Sequence, residues 1–246
     1  MTTTSRDLPV PARALAVGAH PDDVEFGCGA TLARWAEAGC EVSLLVCTDG
    51  SKGTWDPGAD LADLVALRQR EQRDAAAALG ATGEVAFLGR VDGDLVADRR
   101  ATSEVALWIR RLRPDVLLGH DPWRRHRLHP DHRAAGRLVV DGLVAARDPH
   151  FFPEHEVAHH RPGALLLFEA DVATHAEVVG AAHVDAKADA LEAHRSQFET
   201  TMGITEADDG TERARFRRRL HDDAATAGRR VGRAAAELFA TIRTDR

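Results

Sequence analysis

Short apolar runs, separated by longer segments of helical spacing, constrain this chain more than any other feature. Residues 14–19 (ALAVGA), 41–47 (EVSLLVC), 85–88 (VAFL), 115–120 (DVLLGH) and 164–168 (ALLLF) are each of strand length and apolar at successive positions. Runs of that kind suit strands covered on both faces, as in a parallel sheet. Between them, 25–38, 61–79, 102–113, 132–147 and 187–198 read as helices, with Gly39, Gly80 and Pro114 as stops and Thr102 or Ser103 as a cap. The alternation predicts a doubly wound α/β fold of Rossmann-like topology, with a mainly parallel sheet and ligands at the strand C-termini. Residues 1–13 read as an N-terminal arm and 14–246 as a single α/β domain. The end of that domain, 206–246, mixes arginines with Ala and acidic residues and reads as a charged, solvated helix pair.

Composition narrows the partners. A net charge of -7 repels phosphate backbones, so neither nucleic acid nor an anionic membrane is expected, and small neutral ligands fit better. The 3 cysteines, Cys28, Cys40 and Cys47, form no disulfide framework and no CxxC pair, which suits reduced thiols and a cytoplasmic protein. The first residues, MTTTSRDLPVPAR, lack an apolar leader, and no apolar run is long enough to span a bilayer. Tyrosine is absent, so no tyrosine-based mechanism is available, whereas histidine is abundant at 13 residues.

Two polar clusters follow predicted strands. His20-Pro21-Asp22-Asp23-Val24-Glu25 comes directly after the first, and Asp121, His126 and His129-Pro130-Asp131-His132 come after the run ending at His120. In a doubly wound sheet these loops converge on one crevice. Imidazoles and carboxylates together favour zinc or a similar divalent cation, and the lack of cysteine favours an open catalytic site over a closed structural one. Taken singly, each cluster also reads as a Pro-Asp turn with an N-capping aspartate. A dinucleotide-binding loop is excluded, because Gly27 and Gly29 give only a G-x-G and Asp22, Asp23 and Glu25 would oppose a pyrophosphate. No Walker A or G-x-S-x-G element occurs.

Longer stretches carry a family resemblance. GAHPDDVEFGCGATLA (18–33), TDGSKG (48–53), HPDHRAAG (129–136) and KADALEAHRSQF (187–198) resemble the PIG-L/LmbE family of zinc-dependent N-deacetylases. The resemblance implies that His20, Asp23 and His132 bind Zn2+, or another divalent metal in the same site. Asp22 is then the general base, and His129 the charged partner that stabilises the oxyanion and protonates the leaving amine, with Asp131 orienting or tuning it. Arg68 and Asp92 match positions that hold substrate hydroxyls. Arg127, a candidate substrate contact, stands where some relatives have an oxyanion-donating tyrosine, so that donor role passes to His129, to Arg127 or to nothing, and Ser51 stands where several have a glutamate. Asp121 is a candidate partner for a metal-bound histidine. His194, Ser196 and Gln197 lie in a family motif without an assigned role, and His120 and the other histidines read as surface or satisfied residues.

The expectation is a cytoplasmic hydrolase that removes an N-acetyl group from a small amino-sugar-containing molecule. An amidase acting on another small amide, such as a mycothiol conjugate, and a catalytically silent metal-binding protein are the rivals. A homo-oligomer is left open.

Overall fold

The computed structural model describes residues 4–244. Its strands are β1 (Ser5–Arg6), β2 (Arg13–Gly18), β3 (Glu41–Thr48), β4 (Val85–Arg90), β5 (Val116–His120), β6 (Ala164–Phe168), β7 (His175–Val178) and β8 (Ala236–Arg243). They form one sheet in the order β1-β7-β8-β6-β5-β2-β3-β4. All pairings are parallel except those of β8, which runs antiparallel to both β6 and β7.

Side chains of the central strands alternate between two covered faces, which is why those strands are apolar throughout. Leu15, Val17, Leu45 and Leu117 pack with Val105 and Ile109 of α3 (Arg99–Leu112) and Leu138 and Val139 of α4 (Pro130–Arg147). Ala14, Ala16, Leu44 and Leu118 face the other way. They pack with Leu32 and Trp35 of α1 (Asp23–Glu37), Ala75 and Ala76 of α2 (Leu61–Ala78), and Ala190 of α5 (Ala181–Ala193). Gly27 lets α1 lie directly on β6, since a Cβ there would come within 2.5 Å of the Phe168 ring.

From β2 the chain winds outward through β3 and β4, then returns to place β5 and β6 on the other side. The order therefore reverses between β2 and β5, and such a switch point opens a crevice at the strand C-termini. The segments leaving β2 and β5 are those that carry the two polar clusters.

Several boundaries differ from expectation. The strand read at 14–19 is the second of the chain, because Ser5–Arg6 in the arm pairs with β7. Helix α3 starts before Thr102 and Ser103, since the Asp98 side chain caps it by accepting from Ala101 N at 2.7 Å. The segment 187–198 is the end of α5 followed by a 3₁₀ turn (Arg195–Gln197) that runs into a π turn (Phe198–Met202). The expected C-terminal helix pair is one helix, α6 (Thr211–Arg230), and then β8. Helix α6 buries Phe216, Leu220 and Ala224, and its Arg217 is paired with Glu192 and Asp189 of α5. Cys28, Cys40 and Cys47 are free and buried. No helix among the described residues is long and apolar enough to cross a membrane.

Candidate active site

Both clusters meet at the switch point, around a cavity of about 450 Å³ lined by His20, Asp22, Asp23, Phe26, Arg68, His129, His132, Glu169, Gln197 and Thr201. Asp23 is central. Its Oδ2 accepts from the His20 backbone N–H at 2.7 Å and lies 3.3 Å from His20 Nδ1, while its Oδ1 lies 3.2 Å from His132 Nε2. His20 Nε2 points the other way, 3.1 Å from Asp92 Oδ1 and 3.2 Å from Asp131 Oδ2. An imidazole with one nitrogen on carboxylates presents the other as a donor, the arrangement by which outer carboxylates orient metal-binding histidines.

Expected roles shift here. Asp92 lies behind His20, with Oδ2 accepting from Lys52 N at 3.1 Å, and is absent from the cavity wall. The Asp131 carboxylate accepts from Gly93 N at 2.6 Å and Leu95 N at 3.2 Å besides His20, and its charge raises the His129 pKa without a hydrogen bond to that ring. It is the Asp131 backbone N–H that orients His129, donating to Nδ1 at 3.3 Å. That contact puts the ring proton of a neutral His129 on Nε2, where it can be donated. Burial, then His20 and His132, hold the His129 pKa below its ordinary 6.5. These neighbours favour the neutral ring, with its proton on Nε2.

Asp22 occupies the left-handed region at φ 107, a costly conformation for a non-glycine residue. Helix α2 holds it there. Gln72 Oε1 accepts from Asp22 N at 3.1 Å, and Arg68, one helical turn earlier, donates to Pro21 O at 2.6 Å and Asp22 Oδ2 at 3.4 Å. Arg68 also donates to Gly50 O at 2.9 Å. Burial raises the Asp22 carboxyl, Arg68 opposes this, Asp23 adds to it, and the result is a pKa of about 6.

Arg68 lines the cavity, but its Nη1 and Nη2 serve Gly50, Pro21 and Asp22, and we propose that it acts through Asp22. Arg68→Ala is expected to lower kcat by about 10²-fold, the cost of misplacing a reacting group by roughly 1 Å. A sugar amide and a simple acetamide are expected to lose equally, and a loss confined to the sugar would restore Arg68 to substrate binding.

Arg127 is not in the cavity wall either. Its Nη1 donates to Glu169 Oε2 at 2.7 Å and lies 3.4 Å from His132 Nδ1, so it braces the site from behind. Asp121 caps a turn by accepting from Trp123 N at 2.9 Å. Ser196 is tied to Glu71 through Oγ at 2.6 Å, whereas Gln197 and Thr201 reach the cavity.

His120, read as a bystander, is buried at the end of β5. Its ring stacks on His132 with centroids 4.3 Å apart, and Glu169, the residue after β6, lies 3.1 Å from its Nδ1. The usable signal was position: each is a polar residue where a buried parallel strand ends, on the side that opens to ligands.

The charges agree with a place for a cation. Burial alone would lower His20, but Asp131, Asp23 and Asp92 push it up to about 12. Burial would raise Asp23, yet His120, His132 and His20 hold it well below the usual carboxylate range. Protons here balance carboxylates that a divalent ion would otherwise neutralise. His20, His129 and His132 offer nitrogens within 4.8 Å of one another, and so do the donor atoms of Asp23, His120 and His132.

A family model described as GlcNAc-PI de-N-acetylase, PIG-L, matches residues 15–143, which include both clusters. The chain belongs to the PIG-L family. This PIG-L chain is 34% identical over 139 residues to diacetylchitobiose deacetylase of Thermococcus kodakarensis, covering 56% of the chain and 52% of that protein. It is 35% identical over 174 residues to 1D-myo-inositol 2-acetamido-2-deoxy-alpha-D-glucopyranoside deacetylase of Streptomyces avermitilis, covering 61% and 58%. The chain thus spans little more than half the length of these curated relatives. Its fold is that of N,N'-diacetylchitobiose deacetylase from Pyrococcus horikoshii, solved with an inhibitor, at a TM-score of 0.83 and 24% identity over 95% of this chain and 84% of that one.

Proposed function

We propose that this PIG-L chain is a hydrolase that removes an N-acetyl group from an amino-sugar-containing small molecule. His20, Asp23 and His132 would hold zinc or a similar divalent cation. The observation that carries the reading is Asp22, a cavity-lining carboxyl raised to about 6 beside that donor set. A protein that only bound the cation would have no use for it. Both curated relatives described above are named for deacetylation of N-acetylated sugars, which supports the substrate class.

When bound, the cation supplies a Lewis acid that polarises an amide carbonyl and acidifies water. The chain's own residues supply the rest. Asp22, ionised above about pH 6, accepts the proton of the attacking water. His129 Nε2–H donates to the carbonyl oxygen as negative charge develops there. As the C–N bond breaks, Asp22 returns its proton to the amine, leaving a free amino sugar and acetic acid, whose remaining proton passes to solvent to give acetate. The buried thiols take no part: burial pushes Cys47 up to about 12 and keeps it protonated.

Acetate release from a panel of N-acetylglucosaminyl compounds, with a simple acetamide alongside, tests the reading. The sugars are expected to be the better substrates, and preference for the simple amide would contradict the substrate class.

Cation binding should depend on pH. With its pKa near 12, His20 of the metal-free protein is protonated throughout the neutral range, so a cation must displace that proton. Affinity is expected to rise about tenfold per pH unit for each proton displaced, between about pH 6 and 9. Chelator competition at several pH values measures the slope, and a flat profile would show that binding displaces no proton from His20.

A further inference from the structure

One donor in this cluster is not used by the proposed ligand set. His120 is 1% exposed, and its Nδ1 faces Glu169 Oε2 at 3.1 Å, beside the guanidinium of Arg127. Its Nε2 is buried and paired with Asp23 Oδ2, 3.2 Å away. That same Asp23 oxygen lies 3.3 Å from His20 Nδ1, so one carboxylate oxygen stands at nearly equal distance from two imidazoles.

We infer that His120 gives the centre a second, overlapping cation position, built from Asp23, His120 and His132, which a cation can hold without His20. The inference rests on the metal reading of the site. The donor atoms of these three residues lie within 4.8 Å of one another, and one carboxylate with two imidazoles is a ligand set zinc accepts. Glu169 fixes the His120 ring as an outer carboxylate fixes a ligating histidine. The two positions share Asp23 and His132, so they exclude one another. They differ chemically, because His129 groups with His20 and not with His120. A cation on the His120 side is therefore away from the donor that would meet the carbonyl oxygen, and this position binds without supporting turnover.

Cobalt(II) titration of the full chain tests this, read by visible absorption and elemental analysis on the parent, His20→Ala, His120→Phe and the double variant. Circular dichroism checks each fold, and His120→Asn replaces His120→Phe if the latter fails to fold. The parent and His20→Ala are each expected to take up about one equivalent, the variant more weakly and with shifted visible bands. Adding the His120 change to His20→Ala should abolish uptake. If the parent binds cobalt and a folded His20→Ala does not, or if the double variant binds as well as His20→Ala, the second position does not exist. If the parent itself binds none, the metal reading fails first.

Discussion

Asp22→Asn is expected to lower kcat for amide hydrolysis by about 10²- to 10⁴-fold, or roughly 3 to 5.5 kcal/mol of barrier, while cation content stays at the parent level. The asparagine keeps the shape of the side chain and can keep the Asp22 N–H contact with Gln72, so the left-handed backbone is still held by α2. It removes the one group placed to take the proton. Because Asp22 does its work ionised and its pKa is about 6, the parent rate should climb through that pH, whereas residual activity of the variant should not. Kinetics paired with elemental analysis decide the matter. An acid limb that survives in the variant would assign the base to another group.

The second large effect is the paired loss of cation and turnover in His20→Ala/His132→Ala. Either of the overlapping positions is left with at most two donors, fewer than the three protein ligands of catalytic zinc sites, and retention is expected to fall to less than about a tenth of the parent. Removing these imidazoles also takes an ion-pair partner from each of the buried Asp92, Asp131 and Asp23, so the variant needs a check of thermal stability beside the parent. A folded double variant that retains its cation would place the metal elsewhere.

How much of this was legible beforehand depended on what each segment buries. Strands β2, β3, β5 and β6 bury apolar side chains on both faces, so they stand out as unbroken runs, and the loops leaving β2 and β5 could be placed at one crevice from order alone. Strand β7 did not stand out, because His175 and Glu177 are buried on it as polar residues, linked to each other at 2.6 Å, with Ser5 on the other ring nitrogen at 2.8 Å. In β8, Phe239, Thr241 and Ile242 carried a strand signal that the preceding Ala- and Arg-rich stretch obscured. The site behaved similarly. His20, Asp22, Asp23 and His132 lie in two short motifs, and the structure brings all four to one cavity. Asp92, Asp131 and Arg127 sit beside His20 and Glu169 rather than in the cavity wall, which the sequence does not reveal, since which side of a histidine a carboxylate occupies depends on tertiary approach. His120 and Glu169 were missed because each is a lone polar residue at a strand end, about fifty residues from its partner.

The central claim is hydrolysis of an acetamide at the cavity holding Asp22, with a cation held by His20, Asp23 and His132. Its most direct test is acetate and free amine measured together from an N-acetylglucosaminyl compound, with protein first loaded with zinc, then stripped by a chelator, then reloaded. The expected result is equal release of acetate and amine by the loaded protein, loss on stripping, return on reloading, and near silence of loaded Asp22→Asn throughout. Release that ignores both the chelator and the Asp22 substitution would contradict the account.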